Sequence, residues 1–294
     1  MHVYAFSRRI VRAVRVIRSA HAFHVVRKNL KSALPELGAL AAFFAGVGTI
    51  QNDWSVFAVV LLVFYFTGSR LTKYKAERKK QLEEEYHEGG QRTAIQVYSN
   101  ALVGTILSII HQYYYGGEES CLLNDRGSRF IFFMYLGIYA TCNGDTWASE
   151  LGVLNKGKPR LITTFKEVPP GTNGGVTPLG LLASILGGFV IGLSATISLG
   201  LSNLCKEYTG YLEIILIILI ASISGFFGSL IDSLLGATVQ ISNYDEKLKK
   251  ITNQQNKYTI TISGYDLLDN NQVNFVSSLV TGLITAYTCD LIYT

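Results

Sequence analysis

Seven apolar runs, at 34–50, 55–66, 93–115, 130–143, 178–199, 212–230 and 273–292, set what this chain can fold into. Backbone placed in hydrocarbon must satisfy its own hydrogen bonds, so runs of this kind become helices. A crossing needs about 20 apolar residues, and the first two runs, parted by Gln51-Asn52-Asp53-Trp54, fall short of that and are expected to form a hairpin with slack boundaries. The expected fold class is all-α: a multi-pass transmembrane helical bundle of about seven spans, with a polar site at one rim. Only 16% of residues are charged and 49% are hydrophobic, with mean hydropathy +0.27. A soluble chain carries roughly 25% charged residues. No stretch reads as a soluble domain, so 34–294 is taken as one transmembrane domain; 244–258, rich in Asn, Gln and Lys, is expected to be a low-order loop.

The net charge of +5 is concentrated between the apolar runs. That distribution suits positive-inside loops better than a nucleic-acid footprint, and no nucleic-acid motif is present. Segment 1–33 has no acidic residue, and Arg9, Arg12, Arg15 and Arg18 repeat every third position. A helix there would be basic and amphipathic, and three readings stand: an organellar targeting segment, a membrane-surface helix, or the positive flank of the first span. Segment 68–92 is also basic, holding Arg70, Lys73, Lys75, Arg78, Lys79 and Lys80 before Glu83, Glu84 and Glu85. Counting crossings from a cytosolic N-terminus places 68–92, 144–177 and 232–272 on the cytosolic side and the C-terminus in a lumen, in the endoplasmic reticulum or an organellar envelope.

The four cysteines show no metal-ligand spacing. Cys142 and Cys289 lie in or beside apolar runs and read as inert fillers. Cys121 and Cys205 fall on loops of the same expected side. A lumenal disulfide between them is the lesser of two readings; nothing in the sequence brings those loops together, so unpaired thiols are the expectation.

The unusual chemistry lies between Gly144 and Gly180, at both ends of segment 232–272 and at the end of segment 68–92. Asp145, Ser149 and Gly152 are four and three residues apart, so on a helix continuing from the fourth run they share a face. Ionisable groups at a membrane boundary are expensive and therefore functional candidates. The competing reading makes Asp145 the N-cap of a new helix. Glu150 would point about 140° from Asp145 on an ideal helix. Downstream, Lys166 is the cation expected to touch phosphate, while Lys156, Lys158 and Arg160 read as positive-inside charges. The Thr172-Asn173-Gly174-Gly175 loop could form a backbone nest whose N–H groups face an anion. Asp232 ends a stripe of small residues typical of packed membrane helices. Asp269, Asn270 and Asn271 open the last run, whose Asn274, Ser277, Thr281, Thr285 and Thr288 must face helices or a water-filled cavity. That polar line is the best sequence argument for a transporter. Arg92, Gln96 and Asn100 form a second polar stripe.

Together these segments resemble the transmembrane protein 19 family. The resemblance is carried by Gly89-Gly90-Gln91-Arg92 with Gln96-Val97 and Asn100, the 144–152 motif, Arg160-Leu161-Ile162-Thr163-Thr164, 168–177, Ile231-Asp232-Ser233-Leu234-Leu235-Gly236-Ala237-Thr238, and Leu268-Asp269-Asn270-Asn271. It runs from about Leu34 to the C-terminus in the same order, leaving out the basic N-terminal segment. Relatives typically carry Arg-Asn-Trp-Val-Gln where this chain has Arg92-Thr93-Ala94-Ile95-Gln96, so Arg92 and Gln96 are the transferable positions there. The family includes the plant phytyl phosphate kinase, and the Gly-Asp-x-x-Ala-Ser-x-x-Gly pattern is similar to that of dolichol and phytol kinases and phosphatidate cytidylyltransferases. The resemblance implies a prenyl phosphate kinase taking phosphate from CTP or another nucleoside triphosphate; many relatives have no assigned activity. On that reading Asp145, Asp232, Glu150 and Asp269 are candidate ligands of Mg²⁺. Lys166 joins the two aspartates in catalysis, while Arg92, Ser149, Thr172, Asn173, Gly174, Gly175, Asn270 and Asn271 would hold nucleotide and phosphate. The partners expected are an isoprenoid phosphate in the membrane and the nucleotide. The alternatives are a transporter or flippase, or a member with no catalytic activity.

Overall fold

A computed structural model describes residues 36–74, 92–117, 120–205, 210–252 and 257–293. The basic segment 1–33, most of the charges of 68–92 and the Gly89-Gly90-Gln91 motif lie outside them. Seven helices occur among the described residues: α1 (Glu36–Ile50), α2 (Ser55–Lys73), α3 (Ala94–Tyr115), α4 (Arg126–Gly152), α5 (Pro178–Gly200), α6 (Tyr211–Thr238) and α7 (Asn270–Ile292). Five of them, α2, α3, α5, α6 and α7, are long and apolar enough to cross a membrane, and α1 is a shorter apolar helix.

α4 is the axis of the bundle. Every residue from Phe132 to Gly144 is buried, which requires neighbours on all sides of the helix. Protein contacts replace lipid there, so α4 tolerates Tyr135, Tyr139, Thr141 and Asn143. The Tyr135 hydroxyl donates to the Phe57 carbonyl of α2. Asn143 donates to Gly187 O on α5 at 2.8 Å and accepts from the Thr67 hydroxyl of α2 at 2.9 Å. Small residues let α4, α5 and α6 meet backbone to backbone. A methyl group on Gly144 would stand 2.8 Å from Gly225 O, and one on Gly187 would stand 2.8 Å from the Gly144 Cα. α1 leans on α3 through Gly38 and Gly48 while Leu37, Phe43 and Phe44 face outward.

Contacts sort the helix ends into two plates. At one end, Asn52 donates to Ser108 O and lies near His111, whose other ring nitrogen pairs with Ser128. Ser55 pairs with Ser198, and Arg126 holds Asp290 through two bonds of 2.8 and 2.7 Å. Cys121 and Cys205 are joined there by a disulfide, against expectation: the return of α5 beside α4 brings the two loops together with Cα atoms 4.8 Å apart. Cys142 and Cys289 are buried free thiols, as expected of fillers.

The opposite plate carries the polar connections. A two-stranded sheet, β1 (Arg160–Leu161) with β2 (Gly175–Val176), folds the α4–α5 connection back on itself. The α6–α7 connection forms an antiparallel sheet of β3 (Ser242–Asp245), β4 (Lys250–Thr252) and β5 (Thr259–Ser263), ordered β4-β3-β5. The expected low-order loop at 244–258 is therefore built around strand at 244–245 and 250–252 joined by a turn at 246–249; residues 253–256 lie outside the described residues. Local propensity misses it because the strands gain most from tertiary contact. Ile262 of β5 packs on Leu161, Val168 and Ala237, a small core belonging to three separate segments.

Candidate functional site

Asp145 is not an N-cap. α4 passes through it unbroken from Arg126 to Gly152, with Asp125 as the residue whose side chain caps its start. The Gly144 contact therefore fixes Asp145 directly above the point where α4, α5 and α6 touch. One turn beyond Gly225, the Ser229 hydroxyl donates to Asp145 Oδ1 at 3.0 Å. α6 continues past the expected end at 230, carrying Asp232 to the same level. Ser277 of α7 donates to Asp232 Oδ2 at 2.8 Å, and the Asn274 carboxamide, with its nitrogen turned inward, donates to the same oxygen at 3.1 Å. The two carboxylates come from different helices and stand near enough for their charges to interact. Each has one oxygen held by a hydroxyl, and among the described residues its other oxygen accepts no hydrogen bond.

The pair faces a polar cleft of about 610 Å³ between the helix ends and the two sheets. Arg92 is the one basic residue among the described residues that line it. It precedes α3, whose start is closed by a reciprocal capping box of Thr93 and Gln96, and its guanidinium lies over the Phe64 ring of α2, 5.6 Å from the centroid. Glu150 lies within electrostatic reach of Arg92. Asp145 and Glu150 both line the cleft despite their angular offset, because its wall wraps around the end of α4.

The cleft also gathers Ser149, Thr172, Asn173, Gly174, Gly175, Asn270 and Asn271. Two expected residues stay outside its lining. Lys166 is exposed beside a tight turn in which Leu161 and Lys166 bond through their backbones. Asp269 is the N-cap of α7, accepting from Gln272 N at 2.9 Å within a second capping box, so capping accounts for its position.

The Thr172–Gly175 loop does not form the expected open nest. The N–H groups of Thr172, Asn173 and Gly175 are taken by Pro169 O, Ser242 Oγ and Thr172 O, and the Asn173 carboxamide donates to Ile241 O. Gly174, at φ 73°, presses against α6, where a methyl group would meet Ser233 O. The loop is a wedge that sets the sheets against α6. Gly152 does admit a backbone as expected: the start of α5 packs on it, with Gly180 Cα 3.5 Å from a methyl group there.

Three residues at the carboxylates were not among the expected site residues: Ser229, which lies in the small-residue stripe of the sixth run, and Asn274 and Ser277, which lie in the polar line of the last. Their signal was the three-residue spacing of Ser229 to Asp232 and of Asn274 to Ser277, which becomes meaningful only when α6 and α7 are neighbours. Of the rest of the α7 polar line, Thr281 and Thr285 form a packing seam, whereas Thr288 is exposed. Thr281 and Thr285 bond back to Ser277 O and Thr281 O, Ser224 pairs with Thr285, and Gly137 of α4 abuts Thr285.

A bundle of apolar helices wrapped around a buried central helix, with a polar cleft at one rim, defines a multi-pass integral membrane protein. The chain belongs to the family described as "Integral membrane protein DUF92", whose model matches residues 19–282, in keeping with the motifs of the transmembrane protein 19 type. It is 41% identical over 282 residues, 95% of each chain, to "Protein PGR" of Arabidopsis thaliana. "Uncharacterized membrane protein MJ0933" of Methanocaldococcus jannaschii is 28% identical over 232 residues, covering 78% of this chain and 74% of that one. "Protein VTE6, chloroplastic" of Arabidopsis thaliana is 27% identical over 162 residues, 55% of this chain and 46% of its own. No solved structure matches.

Proposed function

We propose that the protein is a membrane-embedded kinase of isoprenoid monophosphates, using a nucleoside triphosphate, CTP by preference, to form the lipid diphosphate. The observation that carries this reading is the Asp145–Asp232 pair, which lines with Arg92 one polar cleft at the rim of an apolar bundle. A lipid phosphate needs that adjacency of hydrocarbon and polar surface. The resemblance to the family of the phytyl phosphate kinase supports the substrate class.

Among the described residues no group of three or more His, Cys, Asp or Glu is placed to hold a metal ion. Mg²⁺ fits the donor set nonetheless, because it typically takes one or two carboxylates and completes its shell with phosphate oxygens and water. Asp145 and Asp232 would hold it through their uncommitted oxygens. When bound, the ion offsets charge on the phosphates.

In the transfer, an oxygen of the lipid monophosphate forms a bond to the terminal phosphorus as the bond from that phosphorus to the bridging oxygen of the nucleotide breaks. Phosphoryl transfer asks mainly for positioning and charge compensation, so no nucleophile is required of the protein. Arg92, buttressed by Phe64 and balanced by Glu150, supplies positive charge for the phosphates. Asn270 and Asn271 open α7 with side chains that make no hydrogen bond among the described residues, and they orient the nucleotide. Ser229, Ser277 and Asn274 hold the carboxylates in place.

The test uses purified protein in detergent with Mg²⁺, CTP or ATP labelled in the terminal phosphate, and phytyl, geranylgeranyl and farnesyl monophosphates. The reading expects a labelled diphosphate that disappears in Asp145→Asn. Normal turnover in Asp145→Asn would refute the carboxylate assignment; tight nucleotide binding with no lipid product would move the acceptor elsewhere. Absence of nucleotide binding would overturn the kinase reading.

A further inference from the structure

The Cys121–Cys205 disulfide and the cleft lie at opposite ends of the same helices. Arg126 and Asp145 are 19 residues apart on α4, about 29 Å at the helical rise. Asn271 and Asp290, 19 residues apart on α7, are separated by about the same length. The hydrocarbon core of a bilayer is about 30 Å thick, so one membrane cannot hold the disulfide and the cleft on the same face. Paired cysteines persist in oxidising compartments and are kept reduced in cytosol-like ones. Charge gives the same orientation independently. The α4–α5 connection at the cleft end holds Lys156, Lys158, Arg160 and Lys166 against the single acid Glu167. Segment 116–125 at the disulfide end holds Glu118, Glu119 and Asp125 and no base. Short basic connections stay on the cytosol-like side.

We infer that Cys121–Cys205 is a structural disulfide formed in an oxidising compartment, with the cleft opening on the opposite, reducing side, and that a dithiol–disulfide carrier protein forms it. In the exchange the Cys121 or Cys205 thiolate attacks the carrier's disulfide, releasing one carrier thiol and leaving a mixed disulfide. The second cysteine thiolate then displaces the carrier. The two cysteines lose two electrons and two protons, and the carrier leaves as a dithiol. Both sulfurs end fully buried beside Leu122 and Leu123, so exchange precedes the final packing of this plate. The inference stands apart from the kinase reading, and its test does not use activity.

Membranes carrying the full-length chain are quenched in acid, denatured and blocked with N-ethylmaleimide, then reduced and treated with a maleimide-polyethylene glycol. Two added polymers per chain are expected, and none in Cys121→Ser. No addition to the wild type would overturn the disulfide, and that arm decides even if the variant fails to accumulate. Sidedness is read in sealed vesicles of known orientation with an impermeant maleimide on Lys166→Cys and on Tyr113→Cys, the latter at an 81% exposed position ending α3. Lys166→Cys should react from the reducing side and Tyr113→Cys only from the other. Labelling of both from one side, or the reverse pattern, would overturn the orientation.

Discussion

Gly144→Ala tests whether backbone contact among α4, α5 and α6 is what holds the carboxylate pair together. The added methyl group would lie 2.8 Å from Gly225 O, 2.9 Å from Gly225 Cα and 2.9 Å from Ser184 O. Carbon contacts are favourable near 3.5–4.0 Å, so the helices must separate by roughly 0.5–1 Å. All three obstacles are backbone atoms, and none can rotate away. Overpacking of this kind costs about 1–3 kcal/mol, partly offset by the better helix propensity of alanine. For a chain of this size each kcal/mol moves Tm by about 2–4 °C, so a fall of up to about 10 °C is expected. Gly46→Ala is the matched control, since a methyl group there meets nothing within 4 Å, and its Tm should hold or rise. Cys142 and Cys289 are buried, so a thiol-reactive fluorophore reports unfolding of both variants in detergent. A Tm for Gly144→Ala equal to or above that of Gly46→Ala would refute the reasoning.

Asp269→Asn should keep full activity and Tm, because asparagine caps as well as aspartate, whereas Asp269→Ala should lose about 1 kcal/mol of stability; loss of activity in the asparagine variant would restore Asp269 as a metal ligand. Arg92→Ala should weaken binding of the phosphate substrates by about 10- to 150-fold, the worth of a charged hydrogen bond, while Lys166→Ala changes neither KM nor kcat. The opposite ranking in steady-state kinetics would return the phosphate contact to Lys166. Ser229→Ala should lower kcat with little change in Tm, since it frees Asp145 Oδ1 without opening a large cavity; an unchanged kcat would show that the 3.0 Å bond does not position the carboxylate.

The sequence by itself determined the helical membrane class, the seven helices to within a few residues at most ends, and the segments that carry the polar chemistry. Hydrocarbon length and periodicity are local properties, and the motif around Asp145 is contiguous, so both were legible. It also placed Asp145, Asp232, Arg92, Asn270 and Asn271 among the candidates. Tertiary structure decided which of those residues meet. Asp145 and Asp232 are 87 positions apart in the chain. They meet because Gly144, Gly187 and Gly225 remove the side chains that would keep three helices apart. The same folding turned the supposed phosphate nest into a wedge, since its N–H groups found Pro169, Ser242 and Thr172 before any ligand. It left Lys166 outside the cleft, seated Asp269 as the N-cap of α7, and raised a sheet from residues whose apolar partner is a strand in another connection. It also joined Cys121 to Cys205. Each of these outcomes depends on which surfaces are adjacent after packing, and adjacency across distant segments is a property of the folded bundle rather than of any local stretch of its sequence.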